Sequence, residues 1–100
     1  MVVSVFDNRD GMGDLSYQQW RRDHPQGWVL NSRRFIDPGY MVLHRARCHS
    51  ISRPAGNTHA DPFTGRGYVK VCADDVEALR SWIASNGGAN FSNCCSRCRT

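Results

Sequence analysis

Two groups of potential metal ligands lie far apart in this sequence. His44 and Cys48 form an H-x-x-x-C pair near the middle of the chain, and Cys95 and Cys98 form a C-x-x-C pair near its C-terminal end. Three thiolates and one imidazole are a ligand set that holds zinc tetrahedrally in closed structural sites. The sequence therefore predicts one Zn²⁺ bound by these four residues, which would tie the C-terminal segment to the centre of the domain.

The spacing leaves some alternatives open. Cys94 could replace Cys95 as a ligand, and His49 could replace His44, although the two-residue gap of C-x-x-C is the commoner spacing. These residues could also be ordinary thiols and a surface histidine. Cys72 lies in a segment of alternating polarity, which favours a small buried apolar residue over a metal ligand.

The segments around these residues predict a small α+β domain with an antiparallel sheet and two helices, stapled by the zinc. Apolar or alternating runs bounded by turn residues indicate strands. The predicted strands are 2–6, 28–31, 40–44 and 68–72, with a basic loop at 32–39 and a long loop at 52–67.

Both predicted helices have recognisable ends. Asp14 is expected to cap a first helix that runs from residue 15 to about residue 23. Asp74 or Asp75 is expected to cap a second helix, and Asn86-Gly87-Gly88 to end it. Within this second helix the apolar residues recur at helical spacing and predict one buried stripe: Val76, Leu79, Trp82 and Ile83.

Length and composition fit one domain. The chain has 100 residues, of which 40% are hydrophobic, and a chain of this size profits from a metal staple. No run approaches the roughly 18 apolar residues of a membrane span, and the first residues lack the pattern of a secretory signal. Five cysteines are an odd number, which argues against a fully paired disulfide framework. We therefore expect a cytoplasmic protein that binds no membrane, while its oligomeric state stays open.

The basic residues suggest a nucleic-acid partner. The formal charge is +4, and Lys70 is the single lysine among 13 basic residues. Arginine suits phosphate and guanine recognition, although a GC-rich genome would produce the same bias. Several arginines flank the predicted zinc ligands or lie in loops, and they predict a DNA-binding surface beside the metal: Arg33, Arg34, Arg45, Arg47, Arg53, Arg97 and Arg99. Tyr40, Phe35 or Phe63 could stack on exposed bases.

Other functions have weaker signals. Four ligands would close the zinc site, so we expect no open coordination position and no enzyme activity.

Three tryptophans are many for this length, and Trp20 and Trp28 are expected to pack beside Trp82. An exposed tryptophan would instead be an anchor for another protein, and this is the alternative function.

Residues 40 to 99 resemble a known zinc module. His44-Arg45-Ala46-Arg47-Cys48 followed by Cys95-Ser96-Arg97-Cys98 is similar to the zinc-binding domain of the adaptive-response DNA-alkylation repair protein. In that family all four ligands are cysteines, and the first accepts a methyl group from backbone phosphotriesters. His44 stands at the position of the methyl acceptor, and an imidazole cannot take over its role. The resemblance implies a zinc-stabilised fold related to DNA binding, without the repair reaction.

Overall fold

The computed structural model describes residues 3–7, 13–37, 39–48, 64, 67–88, 90–91 and 93–94. They form two helices and one sheet whose strands, listed across the sheet, follow the order β1-β4-β2-β3-β5. In chain order the elements are β1 (Ser4–Phe6), α1 (Gly13–Asp23), β2 (Trp28–Arg33), β3 (Met41–Arg45), β4 (Tyr68–Ala73), α2 (Val76–Ser85) and β5 (Asn93–Cys94). The predicted α+β class with an antiparallel sheet is confirmed for the first four strands.

The sheet contains a fifth strand that the sequence analysis did not predict, and its pairing is parallel. β5 pairs with β3 in parallel, with Val42 opposite Asn93 and Leu43 opposite Cys94. The connection from β4 to β5 contains α2, and a helical crossover returns the chain in its original direction. The C-terminal segment therefore reaches the edge of the sheet where β3 lies.

Each face of the sheet has its own apolar cluster, because successive side chains of a strand point to opposite sides. On one face Leu30, Leu43 and Val71 pack against Leu79 and Ile83 of α2. On the other face the cluster packs against α1 and consists of Tyr17, Val29, Ala46, Cys48 and Cys72. We call these the α2 face and the α1 face.

Helix α2 confirms the predicted apolar stripe. Leu79 and Ile83 are fully buried, while Val76 and Trp82 are partly buried against the same cluster. Asp75 is the N-cap, and its side chain accepts a hydrogen bond from the Glu77 backbone N–H at 2.9 Å.

Helix α1 begins earlier than predicted, so Asp14 is not its cap. The helix starts at Gly13, and the Asp14 carboxylate accepts hydrogen bonds from the Thr64 backbone N–H at 2.7 Å and from the Thr64 hydroxyl at 2.6 Å. An acidic residue in the first turn is also favourable beside the positive end of the helix dipole. Asp14 therefore fastens α1 to a residue 50 positions away.

Two further expectations need correction. β2 continues to Arg33 instead of ending at residue 31, because Tyr68 at the start of β4 pairs with Arg33. Trp28 and Trp82 both pack on the α2 face, as predicted, but Trp20 packs on the α1 face. Trp20 lies on α1, and the sheet separates it from the other two tryptophans.

We expect Leu79→Ala to lower the free energy of unfolding by about 2–5 kcal/mol, because it leaves a cavity under α2. Chemical denaturation would measure the change. Ser81→Ala, at an exposed position of the same helix, is the control and should change stability by less than about 0.5 kcal/mol. Equal effects of the two substitutions would contradict the packing described for α2.

Candidate functional site

His44 is a buried imidazole on the α1 face. It lies opposite Val29 in the β2–β3 pairing, and Val29 in turn lies opposite Cys72 of β4. Its residue surface is only 6% exposed. Burial, with a smaller contribution from Lys70, lowers the pKa of His44 to about 4. The ring is therefore neutral at pH 7, which is the form that binds a metal ion.

Cys48 lies in the turn that follows β3, and it is buried in the same apolar cluster as Val29. Its backbone N–H donates to the Arg45 carbonyl at 2.9 Å, and the Ala46 N–H donates to the Gly27 carbonyl at 3.0 Å. The first hydrogen bond closes the turn, and the second attaches the turn to the residue before β2. The structure thus places both central ligands of the predicted zinc site on the α1 face, at the same end of the sheet.

The other two predicted ligands, Cys95 and Cys98, lie outside the described residues, as do the alternative ligand His49 and the aromatic residue Phe63. Among the residues that are described, no three potential ligands come close enough to hold a metal ion. The described half of the set is one neutral imidazole and one buried thiol, which are chemically suited to zinc. The zinc site remains a prediction.

Cys72 is buried, as predicted. Its residue surface is fully inaccessible in β4, and burial raises the pKa of its thiol well above the usual range. A buried, protonated thiol packs as a small apolar side chain. These properties fit the predicted role of Cys72 as a core residue.

The described arginines lie on different parts of the domain. Arg33 is on the α1 face, where its guanidinium carbon lies 4.9 Å from the ring centre of Tyr40 and 5.2 Å from that of Tyr68. Arg45 is on the α2 face, 4.6 Å from the ring centre of Trp28. Because strand residues alternate between faces, these two arginines cannot share one flat surface.

The remaining predicted arginines also differ from one another in position. Arg34 connects distant segments of the chain, since its Nη2 donates to the carbonyl of Asp7 at 2.5 Å and to that of Thr64 at 3.2 Å. Arg47 is exposed in the turn before Cys48. Three others, Arg53, Arg97 and Arg99, lie outside the described part of the chain.

Arg33, Tyr40 and Tyr68 lie at the end of the sheet remote from His44. Arg33 lies four residues beyond Val29, the register partner of His44, so about 13 Å of strand separates the two positions. Arg45 and Arg47 adjoin the predicted ligands along the chain, with Arg45 on the other face of the sheet from His44, while Arg33 and Arg34 lie at the opposite end.

Sequence reasoning missed a polar cluster on the α1 face, which we call the Arg33 cluster. It consists of Arg33, Tyr40, Tyr68, Lys70 and Asn31. Lys70 Nζ donates to Asn31 Oδ1 at 2.8 Å, and Asn31 Nδ2 donates to the Tyr40 hydroxyl at 3.1 Å. The alternation of residues 68–72 already implies that Tyr68 and Lys70 share a face, but only the strand register brings Asn31 and Arg33 beside them.

Next to this cluster, the loop after β2 exposes apolar side chains. Phe35 is 87% exposed and Ile36 is 39% exposed. Adjacent exposed apolar side chains are one feature of surfaces that contact a ligand or a partner. Phe35, which the prediction named as a ring that could stack on a base, follows Arg33 by two residues in the sequence.

Comparison of the chain with protein-family models, with curated proteins and with solved structures finds no match. The resemblance to the zinc domain of the alkylation-repair protein therefore remains a prediction. The structure by itself defines a small α+β domain with two helices packed on opposite faces of its sheet. In the described part of the chain, neither helix has the length and apolar character needed to cross a membrane.

The pKa of His44 predicts how stability depends on pH in protein stripped of metal. The folded-state pKa of about 4 lies below the ordinary value of 6.5. Stability should therefore be full above pH 6.5 and fall as the pH decreases toward 4, because the unfolded state takes up the proton first. The loss of unfolding free energy should approach roughly 3 kcal/mol, measured by denaturation at a series of pH values.

His44→Gln should remove this part of the pH dependence, and the control variant His24→Gln should keep it. Identical pH profiles of stability for wild type and His44→Gln would refute the prediction.

Proposed function

We propose that this chain is a zinc-stabilised binding module, located in the reducing cytoplasm, that binds DNA through arginine and aromatic side chains. The observation that carries the DNA part is the Arg33 cluster with Phe35 beside it. Two tyrosine rings and a half-exposed guanidinium meet there at one end of the sheet, and the exposed Phe35 follows two residues after Arg33.

The geometry of Arg33 suits a contact to phosphate. Its side chain is 47% exposed, and its distance to the nearest carboxylate, that of Asp37, is 3.9 Å. An ion pair at that distance and exposure is weak, so a phosphate can compete with it. The two tyrosine rings hold the guanidinium in place, which lowers the entropy lost on binding.

The aromatic side chains favour single-stranded over duplex DNA. Tyr40 and Tyr68 are partly buried and Phe35 is exposed, so a base that is not paired can stack on them. Base stacking on aromatic side chains is worth about 1–3 kcal/mol per base and depends little on sequence. We therefore propose affinity for single strands with little sequence preference.

The zinc part of the proposal is supported by the parallel pairing of β5 with β3. Leu43, the residue before His44, lies opposite Cys94, the residue before Cys95. Consecutive Cα atoms are 3.8 Å apart, so the backbone of Cys94 lies close to that of His44. This register favours Cys95 over Cys94 as the residue that meets His44, with Cys48 and Cys98 completing the set.

A second candidate function is protein binding. Phe35 and Ile36 are adjacent exposed apolar residues, and buried aromatic anchors often dominate protein interfaces. Ionic strength separates the two functions, because phosphate contacts weaken steeply with salt and an apolar anchor does not.

For the metal, we expect one zinc ion per chain and loss of that ion in Cys95→Ser and Cys98→Ser. Elemental mass spectrometry on protein purified without added zinc would measure the content, and circular dichroism would follow folding. Both variants should be less stable, because zinc binding is coupled to folding.

Cys72→Ser is the matched control for the metal experiment. This residue is a buried thiol outside the proposed ligand set, so the variant should keep its zinc even where it loses stability. Wild-type protein that is equally stable with and without its metal would refute the zinc site, and loss of zinc in a folded Cys72→Ser variant would show that the ligand set is different.

For DNA, we expect a single-stranded oligonucleotide to bind more tightly than the duplex of the same sequence. Affinity should fall with salt, and Arg33→Gln should reduce the slope of log K against log salt by about 0.7, the value for one phosphate contact on a single strand. Phe35→Ala should weaken binding by about 1–3 kcal/mol at every salt concentration. Fluorescence anisotropy at several salt concentrations would measure both effects.

Arg80→Gln is the matched control for the DNA experiment. Arg80 is an equally exposed arginine on α2, where it pairs with Glu77 and lies over Phe91. The variant removes the same charge from a different surface and should leave the slope unchanged. Equal losses in Arg33→Gln and Arg80→Gln would mean that only the net charge matters, and the proposed interface would be wrong.

A further inference from the structure

Lys70 differs from all other cationic residues of this chain. It is the single lysine among 13 basic residues, and it lies within the sheet on β4, with only 5% of its residue surface exposed. A guanidinium stays charged in proteins, whereas a buried amine can lose its proton and become a nucleophile. A chain that otherwise uses arginine thus places its one ionisable amine where burial can activate it.

The surroundings of Lys70 hold the amine in one position. Its Nζ donates to Asn31 Oδ1 at 2.8 Å and lies 5.9 Å from the ring centre of Tyr68. Asn31 is fixed in turn by its hydrogen bond to the Tyr40 hydroxyl at 3.1 Å. The amine and the Arg33 guanidinium therefore both lie beside the Tyr68 ring.

The strand register places Lys70 and Arg33 on the same face of the sheet. Lys70 lies opposite Asn31, and Tyr68 lies opposite Arg33, so the two cationic residues are diagonal neighbours whose backbones are about 7–8 Å apart. The amine lies 5.9 Å and the Arg33 guanidinium carbon 5.2 Å from the centre of the same Tyr68 ring, so the two groups are at most about 11 Å apart. A small molecule with a phosphate at one end and a carbonyl carbon a few bonds away can span that separation.

We propose that Lys70 is a nucleophilic amine that forms an imine with a phosphorylated aldehyde, whose phosphate is bound by Arg33. The lone pair of Nζ attacks the aldehyde carbon, and the carbonyl oxygen takes a proton as the C–N bond forms. Loss of water from this carbinolamine then breaks the C–O bond and leaves the imine. The reaction needs no oxidant or reductant.

The electrostatics of the site support this chemistry. Burial lowers the pKa of Lys70 to about 8, and the nearby Asp14 and Cys72 oppose that shift without reversing it. The neutral, nucleophilic form of this amine is therefore more abundant near neutral pH than in an ordinary exposed lysine.

A phosphorylated aldehyde has two possible sources. One is a free sugar phosphate, and the other is the deoxyribose of an abasic site in single-stranded DNA. The second source would join this reaction to the proposed DNA binding, while the first does not depend on it. Two arms of one experiment separate them: glyceraldehyde 3-phosphate, and a single-stranded oligonucleotide with one abasic site. Sodium borohydride reduces the imine to a stable secondary amine in both arms.

Peptide mapping by mass spectrometry gives the result without ambiguity, because Lys70 is the one lysine in the sequence. The α-amine at the N-terminus of the protein is the internal reference. We expect an adduct on Lys70 at least as abundant as that on the α-amine in at least one arm. An adduct on the α-amine with none on Lys70 in both arms would overturn the proposal, even while DNA binding itself is intact.

Two variants test the assigned roles. Lys70→Arg keeps the charge and should abolish the adduct at position 70, while the adduct on the α-amine remains. Circular dichroism checks that the variant is folded. Arg33→Gln should lower the yield with glyceraldehyde 3-phosphate at least several-fold but leave the yield with unphosphorylated glyceraldehyde unchanged. Equal yields from the two aldehydes on wild-type protein would refute phosphate binding by Arg33.

Discussion

The structure depends on the central position of β2. This strand pairs with β4 on one side and with β3 on the other, and its successive residues Val29 and Leu30 are both fully buried. Because neighbouring residues point to opposite faces, β2 contributes to both apolar clusters at once. Each helix then covers one face, and a sheet covered on both sides is stable in a chain of this size.

The same arrangement creates the polar interior on which the candidate sites depend. The α1 face carries the cluster of Tyr17, Val29 and Cys72 at one end, and Lys70 and Asn31 farther along the same strands. Polar groups buried there must satisfy one another, and Lys70, Asn31 and Tyr40 do so in a chain of hydrogen bonds. Burial that would be costly for an isolated amine becomes tolerable, and the amine keeps an altered reactivity.

The sequence predicted the elements whose signals are local. Periodic apolar residues and the Asp75 cap defined α2, and alternation defined β4 within one residue of its observed end. Features that depend on contacts between distant segments were missed. The Asp14–Thr64 hydrogen bonds, the extension of β2 to Arg33 and the parallel sense of β5 each involve partners 35 or more residues away. The Arg33 cluster belongs to the same class, since its members come from β2, from β4 and from the residue before β3, and they meet through the strand register.

The edge position of β5 gives a physical reason for a metal at this end of the molecule. In the described residues β5 comprises Asn93 and Cys94 and pairs with β3 at the edge of the sheet. A strand at a sheet edge has backbone hydrogen bonds to a neighbour on one side alone. Zinc bound by His44 and Cys48 on one side and by Cys95 and Cys98 on the other would supply the missing attachment. The staple would then hold the edge of the sheet where β3 ends, and would leave the opposite end, where the Arg33 cluster lies, available to a ligand.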